Sequence, residues 1–151
     1  MHHTSATRGH WLVAIGAIVI VGSTMLQWWQ IGGGTGELPR TTGMGISDGR
    51  VFLMFLASMA SLFLITLPFA SEKPVAIDHP LAYLALLVAL LIGYLLRLVS
   101  LVGLQLSPFS WDTGLIWPPQ RGPGFWLAGV GLVVFARGMF EVFEERRKRL
   151  Y

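Results

Sequence analysis

Apolar and polar positions along this chain fall into long blocks rather than short alternations. Four apolar blocks stand out, from about Trp11 to Trp29, Val51 to Ala70, Leu81 to Leu104 and Phe125 to about Phe143. A bilayer core about 30 Å thick takes roughly 20 helical residues, because backbone in hydrocarbon must satisfy its hydrogen bonds within its own helix. Each block meets that length, and consecutive blocks lie close enough in sequence to pair as hairpins. The pattern predicts an all-α integral membrane protein, with four transmembrane helices in an antiparallel bundle. The spans are 11–29, 51–70, 81–104 and 125–143, in a single domain over residues 1–151 that ends in a basic tail, 144–151. Because apolar blocks recur along the whole chain, the first is expected to stay rather than act as a removable leader.

Polar residues punctuate the blocks. Asp78 is placed to cap the third helix with Pro80 in its first turn, and Ser47 or Asp48 to cap the second. Trp11, Trp28, Trp29 and Trp126 fall at or near block ends, where an amphipathic indole prefers headgroup depth, and are expected to be interfacial anchors. Lys and Arg near block ends set the orientation. Arg8, Lys73, Arg146, Arg147, Lys148 and Arg149 lie on one side, and Arg40, Arg50 and Arg121 on the other. The balance predicts both termini in the cytoplasm and a plasma (inner) membrane location.

The connections differ. "QIGGGTGELPRTTGMGISDG" is rich in Gly, Thr and Pro and is expected to be mobile or held by partners. "QLSPFSWDTGLIWPPQRGPG" carries Phe109, Trp111, Leu115, Ile116 and Trp117, so it is expected to lie on the membrane, fold over the bundle or dock on another protein. "GHWLVAIG" and "GFWLAGVG" share the pattern G-x-W-L-x-x-x-G. An inverted repeat would extend further, so the shared pattern is read as two helices using the same interfacial Trp and small-residue entry.

Helices in lipid pack through small residues that let backbones approach. Gly16, Ala57, Ser61, Gly129 and Gly131 are the candidate packing positions. The third block is poorer in such residues and leucine-rich, which makes it a candidate lateral surface for lipid or a bulky partner.

Composition sharpens the functional limits. Of 151 residues, 54% are hydrophobic and 13% charged, far below the roughly one quarter charged in soluble domains. The chain has no cysteine, which excludes disulfides, thiol nucleophiles and cysteine-ligated metal. The net charge of +3 gathers toward the C-terminal run "EERRKR". A membrane surface accounts for Arg146, Arg147, Lys148 and Arg149 as lipid-facing residues without any nucleic-acid partner. His2, His3, His10 and His79 offer no convincing ligand spacing, so no metal site is expected.

Inside the blocks one charge stands out. By helical rise Arg97 lies about 26 Å beyond Pro80, in the outer third of the bilayer. Two readings are open. The guanidinium can snorkel to outer headgroups. Alternatively it can face the bundle in a polar stripe with Tyr94 and Ser100, pairing with Asp112 of the second outer loop, or with Asp48 or Glu37 of the first. Arg137, within reach of Glu141 at i+4, is expected to snorkel inward.

No paired acids, activated nucleophile or phosphate loop is legible, and "GGGTG" follows no strand. The expectation is a non-catalytic integral membrane subunit, or an assembly component, of a larger complex, without a cofactor of its own. It would contact the lipid bilayer and either other membrane subunits or copies of itself. A small homo-oligomeric transporter or channel for an anionic solute is the alternative, and an envelope sensor a second one.

Overall fold

The computed structural model describes residues 8–31, 41–70, 80–106 and 122–149. Four helices dominate: α1 (Arg8–Thr24), α2 (Gly49–Ala70), α3 (Pro80–Leu106) and α4 (Pro123–Arg149). α2, α3 and α4 are long and apolar enough to cross a membrane, while α1 is a shorter apolar helix of 17 residues. A two-stranded antiparallel ladder, β1 (Gln27–Ile31) and β2 (Thr41–Met44), joins α1 to α2 through a 3-10 turn at Gly45–Ser47.

The first span ends earlier than its apolar pattern predicts. α1 stops at Thr24, and Trp28 and Trp29 belong to β1 rather than to a helix. The local chemistry explains the stop. The hydroxyls of Ser23 and Thr24 donate to the carbonyls of Ile20 and Val21, at 2.6 and 2.7 Å. Such side-chain bonds compete with helix continuation. The backbone then closes a tight turn, with Met25 N–H donating to Gly22 O and Leu26 N–H to Ser23 O. Two adjacent indoles next favour extended backbone. The ladder, which shifts register between Gln27 and Trp29, also corrects, for the described part of the first loop, the expectation that it is mobile or held only by partners. Residues 32–40 of that loop and all of 107–121 lie outside the described residues.

α4 runs longer than its apolar block, because "EVFEERRKR" continues the helix to Arg149. The basic tail is therefore a helical extension over residues 144–149. At the start of α2 the cap is Asp48: its Oδ1 accepts the Arg50 N–H at 2.9 Å, while its carbonyl accepts that of Phe52 at 2.8 Å. The Ser47 hydroxyl donates instead to Met44 O. Pro80 opens α3 as expected, and Asp78 lies outside the described residues.

The tightest packing joins α1 to α4, and it is built on small residues spaced seven apart, close to two helical turns. A Cβ added at Gly16 would stand 2.6 Å from the Phe135 backbone nitrogen and 2.8 Å from the Gly131 carbonyl oxygen. At Gly138 it would meet the Gly9 oxygen at 2.8 Å, and at Gly124 the Ser23 oxygen at 2.7 Å. Gly9, Gly16 and Ser23 thus oppose Gly138, Gly131 and Gly124, so the two helices run antiparallel. Gly16 and Gly131 form the middle one of these three contacts. The shared G-x-W-L-x-x-x-G pattern supplies both glycines of the middle contact and one residue of each outer one.

Ala57 and Ser61 are buried on α2, with the Ser61 hydroxyl donating to Ala57 O at 2.8 Å. α3 buries Tyr83, Leu87, Leu90, Gly93, Arg97 and Leu101, an i, i+3/i+4 stripe that turns inward. Its other face exposes Leu84, Val88, Ile92, Leu95 and Val99, in keeping with a leucine-rich flank left outside the bundle.

Candidate functional site

The inward stripe of α3 decides where Arg97 points. Its side chain is 7% exposed, and its NH1 lies 2.8 Å from Oδ2 of Asp48, itself 21% exposed. The guanidinium therefore faces α2 rather than the headgroups. Asp48 holds this position because the ladder delivers it there. Gly45 N–H donates to Leu26 O at 3.2 Å, and Asp48 N–H to Gly45 O at 2.9 Å. The extended backbone of Asp48 (φ −99°, ψ 122°) then feeds α2. One carboxylate thus serves two donors, the α2 cap and the α3 cation. Gly93, one turn before Arg97, lets α3 approach: a Cβ there would come 2.9 Å from Arg50 O and 2.7 Å from the Met54 side chain.

Charge-assisted hydrogen bonds of this kind are short and strong, and in a low-dielectric setting a paired arginine avoids the cost of an isolated one. The pairing is incomplete, since Arg97 Nε is buried without a hydrogen-bond partner. The Ser58 hydroxyl on α2 is buried without one as well.

Tyr94 shares the helix but meets another neighbour. Its ring stacks on Phe125 of α4, with centroids 4.8 Å apart at 15°, and its hydroxyl lies where a Cβ on Gly129 would come within 2.8 Å. Gly129 therefore acts as a seat for Tyr94 rather than a contact between backbones. Ser100 is half-buried. Tyr94 and Arg97 are thus directed to α4 and α2 respectively, not to one shared ligand. Asp112 and Glu37, the other acids considered for Arg97, lie outside the described residues.

Trp28 is the centre of this end of the bundle. It is 0% exposed, packs edge-on against Phe125 at 5.9 Å, and its indole N–H donates to Ser23 O at 2.7 Å. Gly45 and Gly124 leave room for the ring. The expected anchor is therefore a core residue, because the early end of α1 folds the strand that carries it back over the bundle. Trp29 and Trp126 are partly buried against the core, and Trp11, 63% exposed, is free to act as an anchor.

At the opposite end a second charged group forms. Glu141 of α4 lies 3.3 Å from Nε of Arg137 and 3.7 Å from Nε of Arg8 at the start of α1. Here the arginines are open, at 71% and 80% exposed, while the Glu141 side chain is 19% exposed. Arg137 is paired as its spacing predicts, and Arg8 joins it because Gly9 brings the start of α1 beside Gly138. Farther along, Arg146, Arg147 and Lys148 are exposed on the helical extension, where Lys148 meets Glu144 at 3.0 Å.

Among the described residues, no three His, Asp or Glu side chains gather as metal ligands. His10 instead stands edge-on to Tyr83 at 5.9 Å. The molecule so defined is a helical protein with three helices long and apolar enough to cross a membrane, one shorter apolar helix and a small ladder. No protein family, curated protein or solved structure matches this chain.

Proposed function

We propose that this chain is a four-span plasma (inner) membrane protein with both termini in the cytoplasm, serving as a non-catalytic subunit or assembly component of a membrane complex. α1 crosses together with α4, since the two pack along the apolar length of α4 from Gly124 to Gly138. The clustering of Arg8, Arg137, Arg146, Arg147 and Lys148 at one end of this pair supports a cytoplasmic placement of that end. A tag after α4 reachable from outside intact cells would overturn the orientation.

The observation that carries the functional reading is the outward face of α3, where Leu84, Val88, Ile92, Leu95 and Val99 form an apolar surface on a helix that touches α4 sparsely. Such a face suits partner helices or lipid. The alternative of an anion channel draws less support, because Arg97, its candidate attractor, is already neutralised by Asp48. Purification in mild detergent followed by native mass measurement tests the reading. Stable co-purification with other membrane subunits, or a defined self-assembly, is the expected result. A monomer in every detergent, or a homo-oligomer conducting anions through a path lined by Arg97, would overturn it.

A further inference from the structure

Arg8, Arg137 and Glu141 form a charged group on the outer side of the seam between α1 and α4. Both arginines reach Glu141 through Nε. Among the described residues, two guanidinium groups pair with this one carboxylate, and Glu144, which also feels Arg137, is itself paired with Lys148, so the group keeps a surplus positive charge; most of each arginine side chain is exposed. Planar guanidinium groups favour phosphate oxygens, and two close together favour them more.

What adjoins this group narrows the ligand. By helical position, Arg8 continues along α1 into Leu12, Ile15 and Val19, and Arg137 continues along α4 into Val134, Val130 and Leu127. Leu12 and Val19 flank the glycine contacts themselves, meeting Gly138 and Gly131. Ile15, Val130 and Leu127 are exposed. A pair of cations therefore caps one end of an apolar seam that runs the length of the helix pair. Free phosphate would use the cations and not the seam, and a neutral apolar molecule the reverse.

We infer that this seam binds one phospholipid of net negative charge, with its phosphate between Arg8 and Arg137 and its acyl chains along α1 and α4. Glu141 neutralises part of the charge of the two guanidinium groups and makes no contact with the lipid. The inference rests on the membrane reading above, and its test separates the two.

The full chain, purified in mild detergent, is titrated with phosphatidylglycerol or with phosphatidylcholine of the same acyl chains, and bound lipid is counted by native mass spectrometry. One phosphatidylglycerol binds about fivefold or more tightly than phosphatidylcholine, as one surplus charge at a membrane surface implies. Arg8→Gln or Arg137→Gln alone weakens it about fivefold, which takes away most of the preference, and the pair leaves none. Glu141→Gln keeps the two cations and adds net positive charge, so it retains or tightens the lipid and guards against loss through misfolding. Neutralising Arg146 and Arg147 leaves the single tight lipid in place. Equal binding of both lipids, retention by the double variant, or loss in the tail variant overturns the site. Release of the chain from membranes by alkaline carbonate overturns the membrane reading itself.

Discussion

Replacing Asp48 by Asn isolates the pair with Arg97, because Asn caps a helix about as well as Asp. The change keeps an acceptor for the Arg50 N–H and removes the charge 2.8 Å from the guanidinium. Removing one partner of a buried pair costs about 3–5 kcal/mol. Since Asp48 is 21% exposed, water lowers that toward the bottom of the range, about 3 kcal/mol for Asp48→Asn. Arg97→Met keeps an apolar stem and leaves Asp48 with its cap bond and its access to water, so its cost is smaller, about 1.5 kcal/mol. In the double variant no charge is stranded, and the loss should shrink to about 1 kcal/mol, giving a coupling of about 3.5 kcal/mol. Each protein is unfolded by titrating sodium dodecyl sulfate into mild-detergent micelles, with helicity followed by circular dichroism. If the two single losses simply add in the double variant, the pair contributes no coupling and the reasoning fails.

Three further outcomes test other parts of the fold. Gly131→Val places a side chain against Ile20 and the Gly16 oxygen, 2.8 and 3.0 Å from the added Cβ; overpacking should cost about 1–3 kcal/mol, seen as an earlier unfolding midpoint. Brominated acyl chains should quench Trp11 fluorescence and spare Trp28, measured in variants retaining one tryptophan, because the first is 63% exposed and the second 0%; equal quenching would contradict the burial. Ser58→Ala removes a buried hydroxyl without a partner and should leave stability unchanged or raise it by up to about 1 kcal/mol, whereas a loss of that size would mean the hydroxyl is satisfied.

The helices were legible because hydrocarbon imposes one requirement, a continuous apolar run, and the runs opening at Val51, Leu81 and Phe125 each fall within a helix long enough to cross a membrane. The first run misled at its end. Trp28 and Trp29 continue the apolar pattern, yet hydropathy does not register that Ser23 and Thr24 can turn their hydroxyls back on the helix. The Gly-rich loop hid a ladder for a related reason, since pairing of Gln30 with Thr42 and of Ile31 with Thr41 depends on a fold-back that composition does not encode. At the candidate site the direction of Arg97 stayed open between headgroups and bundle, because the stripe of Tyr83, Leu87, Leu90 and Leu101 on its own face is no more apolar than that of Leu84, Val88, Ile92 and Leu95, and only packing shows which one is buried. Its choice of Asp48 could only be narrowed to a set of acids, because the partner is fixed by the strand that delivers it. The pairing of Arg8 with Glu141 left no local signal, being set by the register of glycines far apart in sequence.

That register has a consequence for synthesis. α1 is made before α2 and α3, while the helix carrying Gly124, Gly131 and Gly138 follows both. α2 and α3 are adjacent in sequence and can pair by local contacts as they emerge. The narrow face of α1, with Gly9 and Gly16 bare of side chains, must wait until α4 emerges from the ribosome. A ribosome stalled between α3 and α4 would therefore hold an incompletely packed α1, and the nascent chain should become resistant to protease in a single late step, after the Gly138 segment has left the exit tunnel.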